Sequence, residues 1–197
     1  ESRFGIGSVI LGSRTMQEGG RFPPWTRQQV ELFCVDSLIQ VDITANYEFL
    51  LLDFAFPTAK LESVLQLIHR ILLGEFVWEP DAMLRARQTL SQTRGEIDRS
   101  LEDAAAEAIM GRLSNNDPRF LIASEEVLDA LTLDDVKHAV MGHLTTEALE
   151  VSIVGDFDNL GDTRELLVRY LGSVPETKRD PGMDAHMRPE PVPLARV

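Results

Sequence analysis

Residues 149–158 read LEVSIVGDFD, and this β-branched run closing on Gly155 and Asp156 decides how the rest of the chain is arranged. Its alternation predicts a strand, with Leu149, Val151 and Ile153 on one face and Glu150, Ser152 and Val154 on the other. Gly155 would supply the backbone freedom for a sharp turn. Beyond it, TRELLVRYL (163–171) repeats Leu166, Leu167, Tyr170 and Leu171 at three and four residues, which predicts a helix with one apolar stripe.

Working back from this strand, residues 101–113 (LEDAAAEAIMGRL) read as a strong helix and 114–120 (SNNDPRF) as a loop. Ser124 opens a short helix to Leu128, and Thr132 with Asp135 forms a capping box ahead of a helix ending at His143. Pro80 suits a first helical turn, so 81–97 reads as a long, polar, surface-facing helix. Upstream, Leu61, Val64, Leu65, Ile68, Ile71 and Leu72 trace a stripe for a helix lying flat on a sheet. Residues 39–43 and 49–56 predict an antiparallel hairpin turning at 44–47. Its second strand, FLLLDFAF, is apolar on both faces and predicts a strand inside a sheet, where a buried Asp53 would need a partner. Thr26 and Gln29 form a first capping box, opening a helix to about Leu38, and Gly19, Gly20, Pro23 and Pro24 break the chain before it. Residues 4–18 fit strand or helix, because Val9, Ile10 and Leu11 are contiguous and three glycines weaken a helix.

With 197 residues and 44% hydrophobic content, the chain can bury one sizeable core. We read residues 1–174 as the domain and the proline-rich 175–197 as an extended tail or linker. The formal charge of −13 would repel a phosphate backbone and an anionic bilayer, which argues against nucleic-acid and membrane roles. No apolar run is long enough for a membrane-spanning helix, and no signal peptide is visible. The start at Glu1 reads as a processed product or an excised domain.

Chemistry is sparse. Cys34 is the only cysteine, and beside Phe33, Val35 and Leu38 it reads as a structural thiol rather than a nucleophile. Of the four histidines, His69 sits on an amphipathic helix and His186 in the tail. His138 and His143 are turned about 140° apart on one helix and cannot readily share a metal. FGIGSVILG (4–12) lacks the third glycine and the lysine of nucleotide loops. Asp98, Glu102, Asp103 and Glu107 gather around a helix start and read as a solvated face. No catalytic, metal-binding or cofactor-binding residue is assigned, and peptide-contacting residues stay unassigned.

Several stretches, in order, resemble one module of the insulinase and pitrilysin family of zinc metallopeptidases. They are EGG (18–20), TRQQVELFCVDSLI leading to LLLDFAF, LIHRILL followed by WEPDAMLRARQTL (78–90), DPRFLIASEEVLDALTLDDVKHAVMGHL (117–144), EVSIVGDFD (150–158) and YLGSVP (170–175). The pattern is most similar to a later, non-catalytic module of the large plant or algal members. The resemblance implies an α+β two-layer module, insulinase and mitochondrial processing peptidase-like, with a mixed or antiparallel sheet and helices on one face. It also implies that 4–18 is helical. A catalytic module carries H-x-x-E-H on its first helix, whereas here the matching place reads ILGSR (10–14) or LGSRT (11–15). The distant glutamate that completes such a metal site falls near Gln92 and Thr93, and neither is a carboxylate.

The implied role is that of a non-catalytic wall of the chamber, binding unfolded peptide at a sheet edge and inactive alone. Its acidic balance suits basic peptides. Zinc is expected in a catalytic module of the same polypeptide or of a partner chain, and a plastid or mitochondrion is the implied compartment. The alternative role is a structural scaffold or interaction subunit without catalysis. Family modules begin with two strands that have no counterpart here, so strands from another segment or chain, or edge-to-edge homo-oligomers, would complete the sheet.

Overall fold

The computed structural model describes residues 5–46, 48–157 and 160–178. Most of the tail, with His186, lies outside the described residues. Eight α-helices and one hairpin are seen among them: α1 (Ser8–Gly19), α2 (Arg27–Asp36), β1 (Gln40–Ala45), β2 (Leu50–Ala55), α3 (Leu61–Leu72), α4 (Pro80–Arg99), α5 (Leu101–Leu113), α6 (Glu125–Ala130), α7 (Leu133–His143) and α8 (Leu160–Tyr170).

The ambiguous N-terminal stretch resolves in favour of helix from Ser8 onward. α1 is the central element, with Leu11, Gly12, Thr15 and Met16 among its eight buried residues. Buried hydroxyls would ordinarily weaken such a helix, but Thr15 Oγ1 donates to the Leu11 carbonyl at 2.7 Å and Ser13 Oγ to Ile10 at 2.9 Å. Gly20 ends it at φ 55°, its N–H returning to Met16 O.

One core cluster joins Leu11 to Met83, Ala86, Leu128, Leu131 and Val136. A second joins Met16 to Phe22, Ile43, Ile71, Phe76 and Val140. Phe76 meets Phe22 and Trp78 edge to face, with centroids 5.6 and 5.4 Å apart. α4 departs from its expected surface position, because Ala82, Met83 and Ala86 in its first turns are buried beside α1. Small alanines hide that inward face from a reading based on large apolar residues.

Both capping boxes form: Thr26 with Gln29, and Thr132 with Asp135. α2 closes at Asp36, two residues before the expected Leu38, which has φ 54°, and Ile39 N–H returns to Cys34 O at 2.8 Å.

The hairpin is antiparallel, pairing Gln40 with Ala55, Asp42 with Asp53 and Ala45 with Leu50. Its ladder runs past the expected turn at 44–47, and Asn46 Oδ1 accepts from Glu48 N–H at 2.8 Å and Phe49 N–H at 2.7 Å. Helix cover lies on one face, where Val41, Ile43, Leu52 and Phe54 join the second cluster. The opposite face shows Asp42, Asp53, Thr44 and Leu51 to solvent. β2 is therefore not an interior strand, and Asp53 is exposed rather than buried.

The expected strand at 149–158 does not form among the described residues, which hold a two-stranded sheet of β1 and β2 alone. Val154 is 94% exposed, and Leu149 and Val151 are also exposed. A strand is a relation between two backbones, and this run has the composition of one without a partner to pair with. Gly155 marks a bend, without positive φ. The start of the tail is held: Thr177 N–H donates to Thr146 Oγ1 at 2.7 Å, and Thr146 N–H to Thr177 Oγ1 at 2.9 Å.

Candidate functional site

α1 presents two unlike sides. On its inner side Gly12 meets α7 so closely that a Cβ there would lie 2.4 Å from Val140 Cγ2 and 2.8 Å from Val136 O. On its outer side Arg14, Gln17 and Glu18 border a groove of about 400 Å³ whose far wall is α2, with Val30, Cys34 and Val35, and whose floor is Val41 and Ile43 of β1.

The groove's polar groups bond to one another. Glu18 pairs with Arg14 at 2.9 Å and with Arg85 at 3.6 Å, and Arg27 pairs with Glu31 at 2.7 Å one turn along α2. Gln17 Nε2 donates to Val41 O, and Ile43 N–H donates to Gln17 Oε1, both at 2.9 Å. Burial first, and the Glu31 carboxylate second, push the Cys34 thiol above its ordinary value. A protonated thiol at neutral pH is a poor nucleophile.

Zinc requires imidazole, thiolate or carboxylate donors converging on one point. ILGSR and LGSRT offer aliphatic, small, hydroxyl and guanidinium groups, and Leu11, Gly12, Ser13 and Thr15 are buried against neighbouring elements. These residues do not fit zinc. Gln92 is exposed, and Thr93 Oγ1 donates to Thr89 O at 3.1 Å. Among the described residues, no group of three or more His, Cys, Asp or Glu side chains could hold a metal ion.

The histidines are dispersed. His69 Nδ1 lies 2.6 Å from Tyr170 O, fastening α3 to α8, and Tyr170 OH donates to Glu62 at 2.8 Å. His138 Nδ1 lies 2.8 Å from Asp134 O on its own helix. The carboxylates 98–107 are only partly a solvated face: Arg94 is bonded to both Asp98 and Glu107 and ties α4 to α5. Those charged partners raise the Arg94 pKa further. The bonds of Gln17 and the close approach at Gly12 carry no sequence signature, since neither residue type announces its tertiary contact.

No family model matches the chain. It is 39% identical over 170 residues to the chloroplastic stromal processing peptidase of Arabidopsis thaliana, covering 85% of this chain and 13% of that protein. It is 40% identical over 174 residues to the same-named protein of Oryza sativa subsp. indica, covering 87% and 14%. The chain thus spans about one seventh of the length of these relatives. Its fold is similar to that of the periplasmic protease PqqL from Escherichia coli, with TM-score 0.64 and 16% identity over 88% of this chain and 19% of that one. A second fold match is a point mutant of the ferredoxin protease FusC in complex with Arabidopsis ferredoxin, with TM-score 0.62, 16% identity and the same coverages. Sequence and fold together identify the chain as a segment of the insulinase and pitrilysin peptidase family, homologous to part of the stromal processing peptidases.

Proposed function

We propose that the chain is a non-catalytic module of a zinc metalloendopeptidase, which walls the substrate chamber and holds unfolded peptide by backbone pairing. The observation that supports this reading is α1: where a catalytic module would present two imidazoles and a glutamate, the two registers offer Ile10, Ser13 and Arg14 or Leu11, Arg14 and Thr15, of which Leu11, Ser13 and Thr15 are buried and Arg14 is paired with Glu18. Hydrolysis then belongs to a zinc-bearing module of the same polypeptide or of a partner chain. In this reading the domain is 1–174, and 175–197 is an extended tail or linker.

Pairing is available at the outer edge of β2. The Asn46–Phe49 bond and the strand register turn the backbone groups of Leu51, Asp53 and Ala55 toward β1. Those of Leu50, Leu52 and Phe54 therefore point outward, and no strand pairs with them among the described residues. Asp42 and Asp53, side by side on the exposed face, favour a basic peptide. The chloroplastic relatives support a plastid location for the parent protein.

A scaffold role is favoured by α5, where Leu101 is 87%, Leu113 67% and Ile109 57% exposed. An adjoining module bearing H-x-x-E-H in the parent polypeptide supports the peptidase reading over the scaffold. The test is metal analysis with a peptide-cleavage assay on the chain alone and on the full-length product. Zinc and cleavage are expected in the full product only, and stoichiometric zinc or cleavage by the isolated chain refutes the proposal. Sedimentation without peptide tests the sheet edge: a dimer there points to a second copy as occupant in place of peptide.

A further inference from the structure

The hairpin's two lateral edges are treated differently. Among the described residues no strand pairs with β2's, whereas β1's lies against α1 and is hydrogen-bonded by the Gln17 side chain. Gln17 Nε2 donates to Val41 O and Gln17 Oε1 accepts from Ile43 N–H, each at 2.9 Å. These two backbone groups flank Asp42, and they are the acceptor and donor that one residue of a parallel neighbouring strand would engage.

A primary carboxamide has the same donor and acceptor as a peptide group, so Gln17 satisfies this edge as a strand would. The amide projects from a helix that is itself packed into the core, so little freedom is lost in holding it there.

We infer that Gln17 is an edge plug: its carboxamide closes β1 to strand addition and leaves β2 as the receptive edge. This goes beyond the proposed function, because it rests on the chain's own hydrogen bonds and stands whether or not β2 takes a peptide.

The experiment is amide hydrogen exchange on the full chain, read at Ile43, with Ile39 N–H, bonded to Cys34 O, as the internal reference. Gln17→Met keeps the stem and removes both hydrogen bonds, and it is expected to speed Ile43 exchange about tenfold relative to Ile39. Gln17→Glu keeps an oxygen for Ile43 N–H and is expected to retain most of that protection, which a side chain acting by packing alone would not do.

A capped ten-residue alternating Lys-Val peptide then serves as the strand probe. In the wild type it should leave Ile43 exchange unchanged, and in Gln17→Met it should restore the protection. Equal Ile43 exchange in wild type and Gln17→Met overturns the inference, as does probe protection of Ile43 in the wild type or its absence in Gln17→Met. Failure of the probe to protect Leu52 and Phe54 in the wild type counts against the peptide-holding proposal instead, so the two readings fail separately.

Discussion

At Gly12 α1 meets α7 with no room for a side chain, and replacing it with alanine tests whether that contact fixes the core. The added Cβ would lie 2.4 Å from Val140 Cγ2 and 2.8 Å from Val136 O, where carbon atoms ordinarily rest about 3.5–4 Å apart. Rotating Val140 relieves only the first clash, and the second is with α7 backbone, so the helices must separate. Val136 and Val140 are both 0% exposed, which leaves little slack for that movement. Overpacking of this kind costs about 1–3 kcal/mol, and the backbone clash puts Gly12→Ala at the upper end. Alanine's helix propensity returns about 1 kcal/mol, giving a net loss of about 2 kcal/mol. With a urea m-value of about 2 kcal/mol/M, the unfolding midpoint should fall by about 1 M. Gly95→Ala in α4 is the matched control, because nothing lies within 4 Å of its would-be Cβ. Its midpoint should rise by about 0.5 M on propensity alone. A Gly12→Ala midpoint at or above that of the wild type, with Gly95→Ala raised, would refute the close-packing account of α1.

Three further outcomes follow from particular contacts. Arg87 donates from Nε to Leu128 O at 3.1 Å and from Nη2 to Leu131 O, holding the end of α6 against α4, so Arg87→Ala should cost about 2 kcal/mol by thermal or urea unfolding, with Arg87→Lys recovering little because a single ammonium cannot span both carbonyls. The Thr132 hydroxyl and backbone N–H lower the Asp135 pKa, so this carboxylate contributes stability that is fully present above the ordinary aspartate value and lost as pH falls through its depressed folded-state value; Asp135→Asn should flatten the acid limb of the stability curve, and an unchanged limb would show that the box contributes nothing. The Cys34 thiol, raised by burial and by Glu31, should react with a disulfide reagent at pH 7 more slowly than a free cysteine, and Glu31→Gln should narrow the gap.

The elements that were legible in the sequence are those whose cause is local. Thr26 with Gln29 and Thr132 with Asp135 each satisfy backbone donors within one turn, so three residues of spacing sufficed to place two helix starts. The hairpin was equally readable, since β1 and β2 are adjacent in the chain and each finds its partner in the other. LEVSIV has strand composition too, yet it finds no partner strand among the described residues, and nothing within its own residues supplies one. FLLLDFAF misled in the converse way: its apolar residues suggested two covered faces, and the fold covers one. At the candidate site, the lack of histidine on α1 was readable as a string of letters. The use made of the vacated positions was not, because Gly12 looks like a helix weakness until α7 is in place, and Gln17 looks like a surface amide until β1 arrives beside it.

The two halves of the functional reading share one structural cause. A helix that serves a metal must keep a side free for ligands, whereas α1 has committed one side to α7 and α4 through Leu11, Gly12 and Met16. On the other side Arg14 and Arg85 are drawn to Glu18, and Gln17 to the β1 backbone. Placing histidines at Ile10 and Arg14 would therefore break the Arg14–Glu18 pair while still lacking a carboxylate at Gln92 or Thr93. Polar capacity spent inside the module is not available for chemistry at its surface. What the hairpin leaves unpaired among the described residues is the outer backbone of β2, beside the exposed carboxylates Asp42 and Asp53, and these are the groups that the proposed peptide-holding role would use.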